Sequence, residues 1–431
     1  MRLSFSTFFY NAFTIFGLFV LLYNPPILRI NIMHIVGVVS WLLVFINAKR
    51  IKMCLQLKEL FIVYILLFGY LILNTLIHNA NYSTTLASVY FILDIIPFGI
   101  VFSDYIIRKK KEIKSVLNYF IIAGLIQAII ALLGFFVPSV QSFITDRLVG
   151  YGYTNEVSEL SYRTFGLSGE LTFAMPIIQA VIAIFCLSKR GIVFKLLSFV
   201  ILISGVINAR ISIAIYAIGF VTFLIFSKET PKEKIKAVLF FVSALLCGVF
   251  IVLPFAKTFS FDTYKWVMDG FKDLSYIFGG EKSNYSYIDY VSDSNNYRLP
   301  PSFLSLLFGT GYPSLGFYDK LGFASDIGYI NDIWQGGLIY SVVLYCFYLL
   351  LMYKIGKPAC NCSKWIGLTL IFAMFVANIK GPIFGMNAVT VCVVVLYIFT
   401  KFRALKKNVC AIGTREMFYE KNYRRRCIVQ Q

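Results

Sequence analysis

Apolar stretches of about twenty residues recur from one end of this chain to the other, and a stretch of that length is what a helix needs to cross a membrane. They fall near residues 5–23, 27–47, 60–78, 86–104, 116–137, 168–188, 192–208, 211–227, 237–256, 327–353, 365–380 and 383–400, which predicts an all-α integral membrane protein with about twelve transmembrane helices. The division within 192–227 follows from length: the run is nearly continuous, broken only by "INARIS", and as one helix it extends about 54 Å against a hydrocarbon core of roughly 30 Å. Folding it into two spans sets Arg210 in the turn, at an interface, and avoids the roughly 2.5–3.5 kcal/mol of an arginine at mid-bilayer. The apolar stretch at the N-terminus lacks a small-residue cleavage site and leads directly into the next, so it is read as a retained span.

Composition agrees, with 59% hydrophobic and 14% charged residues and a mean hydropathy of +0.77. The net charge of +19 suits a nucleic-acid binder, but its distribution gives another reason. Connections 48–58, 106–114, 189–195, 228–236 and 354–364, with both termini, hold 29 of the 40 Lys and Arg, and everything else holds 11. The positive-inside rule then places both termini in the cytoplasm, and no nucleic-acid partner is expected. The expected organisation is N-terminal helices over 1–137, a medium external loop and spans over 138–256, a large external loop over 257–326, C-terminal helices over 327–400 and a basic tail over 401–431 whose "RRR" suits anionic lipid.

Little of the usual catalytic material is present. Only His34 and His78 exist, no Walker or dinucleotide glycine pattern occurs, and none of the nine cysteines lies in the two large outer loops. No metal, cofactor or disulfide framework is expected, and a substrate has to arrive already activated. What stands out is a set of arginines on the face poorest in basic residues: Arg163 before the sixth span, Arg210 in its turn and Arg298 late in the large loop. Their planar forks match phosphate oxygens bidentately. Singly, each also fits an interfacial anchor or a carboxylate partner.

Three stretches carry a resemblance. "YRTFGLSGELTFA", the "NAR" turn, and "RLPPSFLSLLFGTGYPSLGF" followed by "SDIGYINDIWQGGLIYSVVLY" together resemble the O-antigen polymerase (Wzy) family from about 160 to 350. The family's pattern of Arg, ten residues and Gly is matched by Arg298 and Gly309; from Arg163 and Arg210 the corresponding residues are Ala174 and Val221. Leu171 stands where relatives often have proline after the glutamate. The related O-antigen ligases carry a histidine where this chain reads Ser325 and Asp326, which disfavours a ligase.

The resemblance implies glycosyl transfer at the outer face of a bacterial cytoplasmic membrane, with a glycan passed from undecaprenyl diphosphate to another lipid-linked repeat unit. It implies Arg163, Arg210 and Arg298 as catalytic cations, with Glu170 or Asp326 as base. Glu170 is equally a partner for Arg163 or a helix cap. Lys380, Tyr297, Gly309 and Tyr329 are the expected substrate-binding residues, although Lys380 also fits a snorkelling role. Expected partners are the undecaprenyl-diphosphate-linked oligosaccharide, the lipid bilayer and a chain-length-regulating membrane protein. Loop aromatics such as Tyr264, Trp266, Tyr285, Tyr287 and Tyr290 offer faces for sugars or form an interfacial belt. Asp94, inside the fourth span, serves proton coupling or pairs with a polar neighbour. The main rival class is a transporter of the same lipid-linked units.

Overall fold

A computed structural model describes residues 5–27, 31–80, 82–150, 163–169, 173–247, 292–314, 324–357, 364–385 and 387–406, with scattered positions between 250 and 279. Among these residues the chain is all-helical. In chain order the helices are α1 (Phe5–Tyr23), α2 (Ile32–Phe45), α3 (Ala48–Leu55), α4 (Lys58–Ile77), α5 (Tyr82–Arg108), α6 (Ile113–Phe136) and α7 (Pro138–Gly150). They continue as α8 (Ala174–Leu187), α9 (Ile192–Val206), α10 (Ile211–Phe226), α11 (Pro231–Cys247), the short α12 (Phe303–Phe308), α13 (Gly328–Gly356), α14 (Lys364–Ala377) and α15 (Ala388–Lys406).

A helix occupies each apolar stretch. Of those described, α4, α6, α13 and α15 are long and apolar enough to cross a membrane, and a fifth crossing results if α2 and α3, bent by 109°, form one span. The first part of the loop expected at 138–167 is itself helical, as α7.

The centre of the bundle is α8, every residue of which is buried. An apolar helix without a polar face has to sit inside the bundle, and it packs against α6, α9 and α10. Its one polar side chain, Gln179, accepts from the Tyr23 hydroxyl (3.4 Å) and donates to the Gly124 carbonyl (3.2 Å). Backbone groups freed inside helices are matched in the same way. Pro97 in α5 has no N–H to give the carbonyl of Leu93, and the Trp41 indole donates to it instead at 2.8 Å. At the residue after Leu93, His34 Nδ1 meets Asp94 Oδ2 at 2.7 Å, which gives the carboxylate expected inside the fourth span a polar partner.

The lysine- and arginine-rich connections gather at one end of the bundle. Asp104 engages Lys49 (2.7 Å), Arg50 (2.9 Å) and Arg108 (2.8 Å); Lys114 reaches Glu229 (3.3 Å), Lys401 reaches Glu59 (3.7 Å) and Arg403 reaches Glu112 (3.8 Å). Arg210 separates α9 from α10, whose far ends lie among these connections, so it belongs to the opposite end.

Candidate functional site

The segment carrying Arg163 is irregular, and its backbone is pinned by three side-chain amides and one backbone hydrogen bond. The Arg163 carbonyl accepts from Gln141 of α7 (3.0 Å), that of Thr164 from Asn208 (3.0 Å) and that of Phe165 from Gln127 of α6 (2.8 Å). Gly169 N–H then donates to the Tyr23 carbonyl at the end of α1 (2.9 Å). Gly166 adopts φ +56°, and a Cβ there would lie 2.5 Å from the Gln127 amide nitrogen, so the chain turns here only with glycine. Asn208 and Gln127 are fully buried. Non-helical backbone in an interior has to find donors, and carboxamides supply them without adding charge.

Asn208 belongs to the "NAR" turn, so one hydrogen bond couples the segment of Arg163 to the turn of Arg210. The result is that both guanidinium groups pack on one indole: Cζ of Arg163 lies 5.0 Å and Cζ of Arg210 4.8 Å from the Trp266 ring centroid. Gly270 completes this bed, since a Cβ there would come within 2.5 Å of Arg210 Cδ.

A third cation comes from the turn after α14. Burial lowers the Lys380 ammonium to about 8, the charges of Arg163 and Arg210 push the same way, and Asp326 opposes them. Asp326 is partly desolvated, which raises its carboxyl above the usual range, with Lys380 acting against the rise. Two guanidinium groups, an ammonium and a carboxylate from four separate segments thus share one locality.

Asn378 holds the Lys380 turn in register with Asp326. Its carbonyl accepts from Gly328 N–H (2.8 Å), its amide oxygen from Ile383 N–H (3.0 Å), and its amide nitrogen donates to buried Asp332 (3.3 Å), which also accepts from the Tyr345 hydroxyl (2.7 Å).

The other expected site residues have different surroundings. Arg298 is exposed; its guanidinium donates to Asn295 Oδ1 (3.0 Å) and its carbonyl accepts from the Trp334 indole (2.8 Å). It borders the locality through Ser325, whose hydroxyl donates to the Asn296 carbonyl (2.8 Å). Tyr297 stands exposed in the 3₁₀ turn Ser294–Tyr297. Gly309 abuts the break in α13, with its hypothetical Cβ 2.6 Å from Gly337 N. Tyr329 gives its hydroxyl to the Phe375 carbonyl (2.7 Å). Glu170, Tyr285, Tyr287 and Tyr290 lie outside the described residues.

Sequence reasoning missed the roles of Gln127, Gln141, Asn208, Asp332 and Asn378. Their signal was present: an amide or carboxylate within or beside an apolar stretch is costly unless it has a specific partner. No known family model matches the chain, and no curated protein matches it.

The Thr164–Asn208 bond is open to test. Asn208→Leu keeps the bulk but leaves the Thr164 carbonyl without this donor, a loss of about 1–3 kcal/mol for a buried group. A lower thermal midpoint in detergent is expected; a midpoint equal to wild type means that the bond contributes nothing.

Proposed function

We propose that this protein is a polysaccharide polymerase that joins undecaprenyl-diphosphate-linked repeat units, for O-antigen or capsule, at the outer face of a bacterial cytoplasmic membrane. The observation that carries the reading is the pairing of Arg163 and Arg210 on one indole with Lys380 close by, at the end of the bundle away from the lysine-rich connections. A lipid diphosphate fits such a group of cations in charge and in geometry. The resemblance between residues 160 and 350 points the same way.

In the proposed reaction the bond from the sugar's anomeric carbon to the diphosphate oxygen breaks, and the lipid diphosphate leaves with the electron pair. The acceptor hydroxyl forms the new glycosidic bond and gives its proton to a carboxylate. Arg163 and Arg210 stabilise the charge that develops on the leaving oxygen, held ready by their packing before reaction begins. Asp326, which faces Lys380, is the carboxylate proposed to take the proton, and the desolvation that raises its carboxyl makes it the stronger base. The substrate brings its own leaving group, so the reading calls for no metal or cofactor.

Lys380 gives the reading a pH signature. With an ammonium at about 8 against an ordinary 10.5, the turn is cationic below pH 8 and loses that charge above it. The affinity of purified protein for farnesyl diphosphate is expected to fall on the order of tenfold between pH 7 and 9, about 1.4 kcal/mol. Lys380→Arg flattens the profile, since guanidinium does not titrate there. Unfolding is separable, because between 8 and 10.5 the unfolded chain binds more protons than the folded one and this group's contribution to stability rises with pH. A flat wild-type profile removes Lys380 from the anion site.

A transporter of the same lipid-linked units has one feature in its favour: the His34–Asp94 pair and the broken helix α13 are of a kind found along transport paths. Deleting the gene separates the two readings. Loss of a polymerase leaves single repeat units displayed outside the cell, whereas loss of the transporter leaves none.

A further inference from the structure

Helix α12 exposes more large apolar surface than a loop in water tolerates. Phe303 is 72% exposed, Leu304 67%, Leu299 just before the helix 51% and Phe308 47%. The helix itself is well formed. It starts on a reciprocal cap in which Ser302 Oγ accepts from Ser305 N–H (3.0 Å) and Ser305 Oγ from Ser302 N–H (3.2 Å), and it ends at Gly309 with φ +81°.

Its far end is driven between two helices able to cross a membrane. The Phe308 carbonyl accepts from Tyr70 (2.6 Å) and Asn74 (2.9 Å) of α4, and Gly309 packs on Gly337 of α13. Tyr70 lies seven residues before the end of α4, about 10 Å along its axis, and Gly337 lies nine after the start of α13, about 13 Å. α13 breaks at Gly337 (φ +79°), and the carbonyls of Trp334 and Gln335 just before the break find donors from the incoming segment and from α4. That of Trp334 takes Thr310 N–H (2.7 Å) and Oγ1 (2.9 Å); that of Gln335 takes Gly311 N–H (3.1 Å) and Asn74 Nδ2 (2.7 Å). Irregular backbone survives at membrane depth only when its polar groups are matched by protein in this way. Just past the break, α13 itself exposes Leu338, Ile339 and Val342.

We propose that residues 299–309 are a re-entrant segment, with Leu299, Phe303, Leu304 and Phe308 embedded among the hydrocarbon chains of one membrane leaflet and not part of an extramembrane loop. The occupant of this surface is lipid hydrocarbon because the segment packs between two helices able to cross a membrane, at the depth of the break in α13, where α13 also exposes apolar side chains. Arg298 then stands where the segment leaves the headgroup layer.

Spin labels in full-length protein in lipid nanodiscs test this. In a background without native cysteines, nitroxides are attached at 303, 342 and 295, all exposed positions. At 303 the ratio of collisions with oxygen to collisions with a water-soluble nickel chelate is expected to match that at 342 and to exceed that at 295 several-fold. A ratio at 303 equal to that at 295 puts α12 in water and overturns the proposal. Protection from both reagents overturns it as well, since a second copy or another protein then covers the patch. Should the cysteine-free protein not fold, Phe303→Trp in the natural chain gives the same decision: brominated lipids quench the added fluorescence if the segment is embedded and leave it unchanged if it is not.

Discussion

Arg210→Ala is expected to reduce chain extension about a hundredfold, the effect of roughly 3 kcal/mol lost from a pre-positioned charge facing a developing anion. The protein should still fold, since the side chain lies on Trp266 and Gly270 near the end of the bundle and not in its core. Arg163→Ala is expected to act similarly. The double variant should lose less than the product of the two, because both guanidinium groups share one indole and both act on Lys380. Arg210→Lys should recover little activity, because an ammonium keeps the charge without the planar fork. Arg298→Ala provides the comparison: exposed and held by Asn295, it should shorten chains less. The measurement is surface glycan length at equal protein level. Wild-type chains from the double variant would falsify the anion-site reading, and a loss from Arg298→Ala as large as that from Arg210→Ala would require the site to be redrawn to include it.

Gly337→Val should have the largest effect on the fold. A valine at φ +79°, ψ 174° is strained by about 1–3 kcal/mol before any contact is considered. Its Cβ would also meet the Leu307 carbonyl and lie 2.5 Å from Gly309 N, and both are backbone atoms. Neither retreats easily, because Phe308, Thr310 and Gly311 are hydrogen-bonded into α4 and α13. The combined cost of several kcal/mol is a large share of the roughly 5–15 kcal/mol that holds a typical domain together. Little monodisperse protein should be recovered in detergent. Gly69→Ala is the control, since its Cβ would meet nothing beyond the local backbone of its own helix and alanine is the better helix former. Equal recovery of the two variants would mean that the packing of α12 on α13 contributes little.

The Gly309 result illustrates where reading a sequence stops. The spacing from Arg298 to Gly309 resembles a family pattern and directs attention to a ligand, whereas in the fold this glycine allows two backbones to touch. Both readings come from the same ten-residue interval. Spacing records that a glycine is needed and not what approaches it. Trp266 is a similar case: its sequence context allows either a face for sugars or an interfacial anchor, and in the structure it is the surface on which two arginines lie.

From sequence alone came the helices and their order, because a segment in hydrocarbon has to satisfy its own backbone and be apolar over a set length, and both conditions are written locally in the chain. The turn at "INARIS" followed from the same length argument, and helices α9 and α10 end on either side of it. Tertiary structure alone decided which cations became neighbours. Arg163, Arg210 and Lys380 come together because buried amides of Gln127, Asn208 and Asn378 pin irregular backbone from distant segments, while Arg298 is drawn toward the broken helix by the Trp334 indole. Hydropathy varies along one dimension, but a site depends on which unmatched carbonyls meet which donors, and packing in three dimensions settles that.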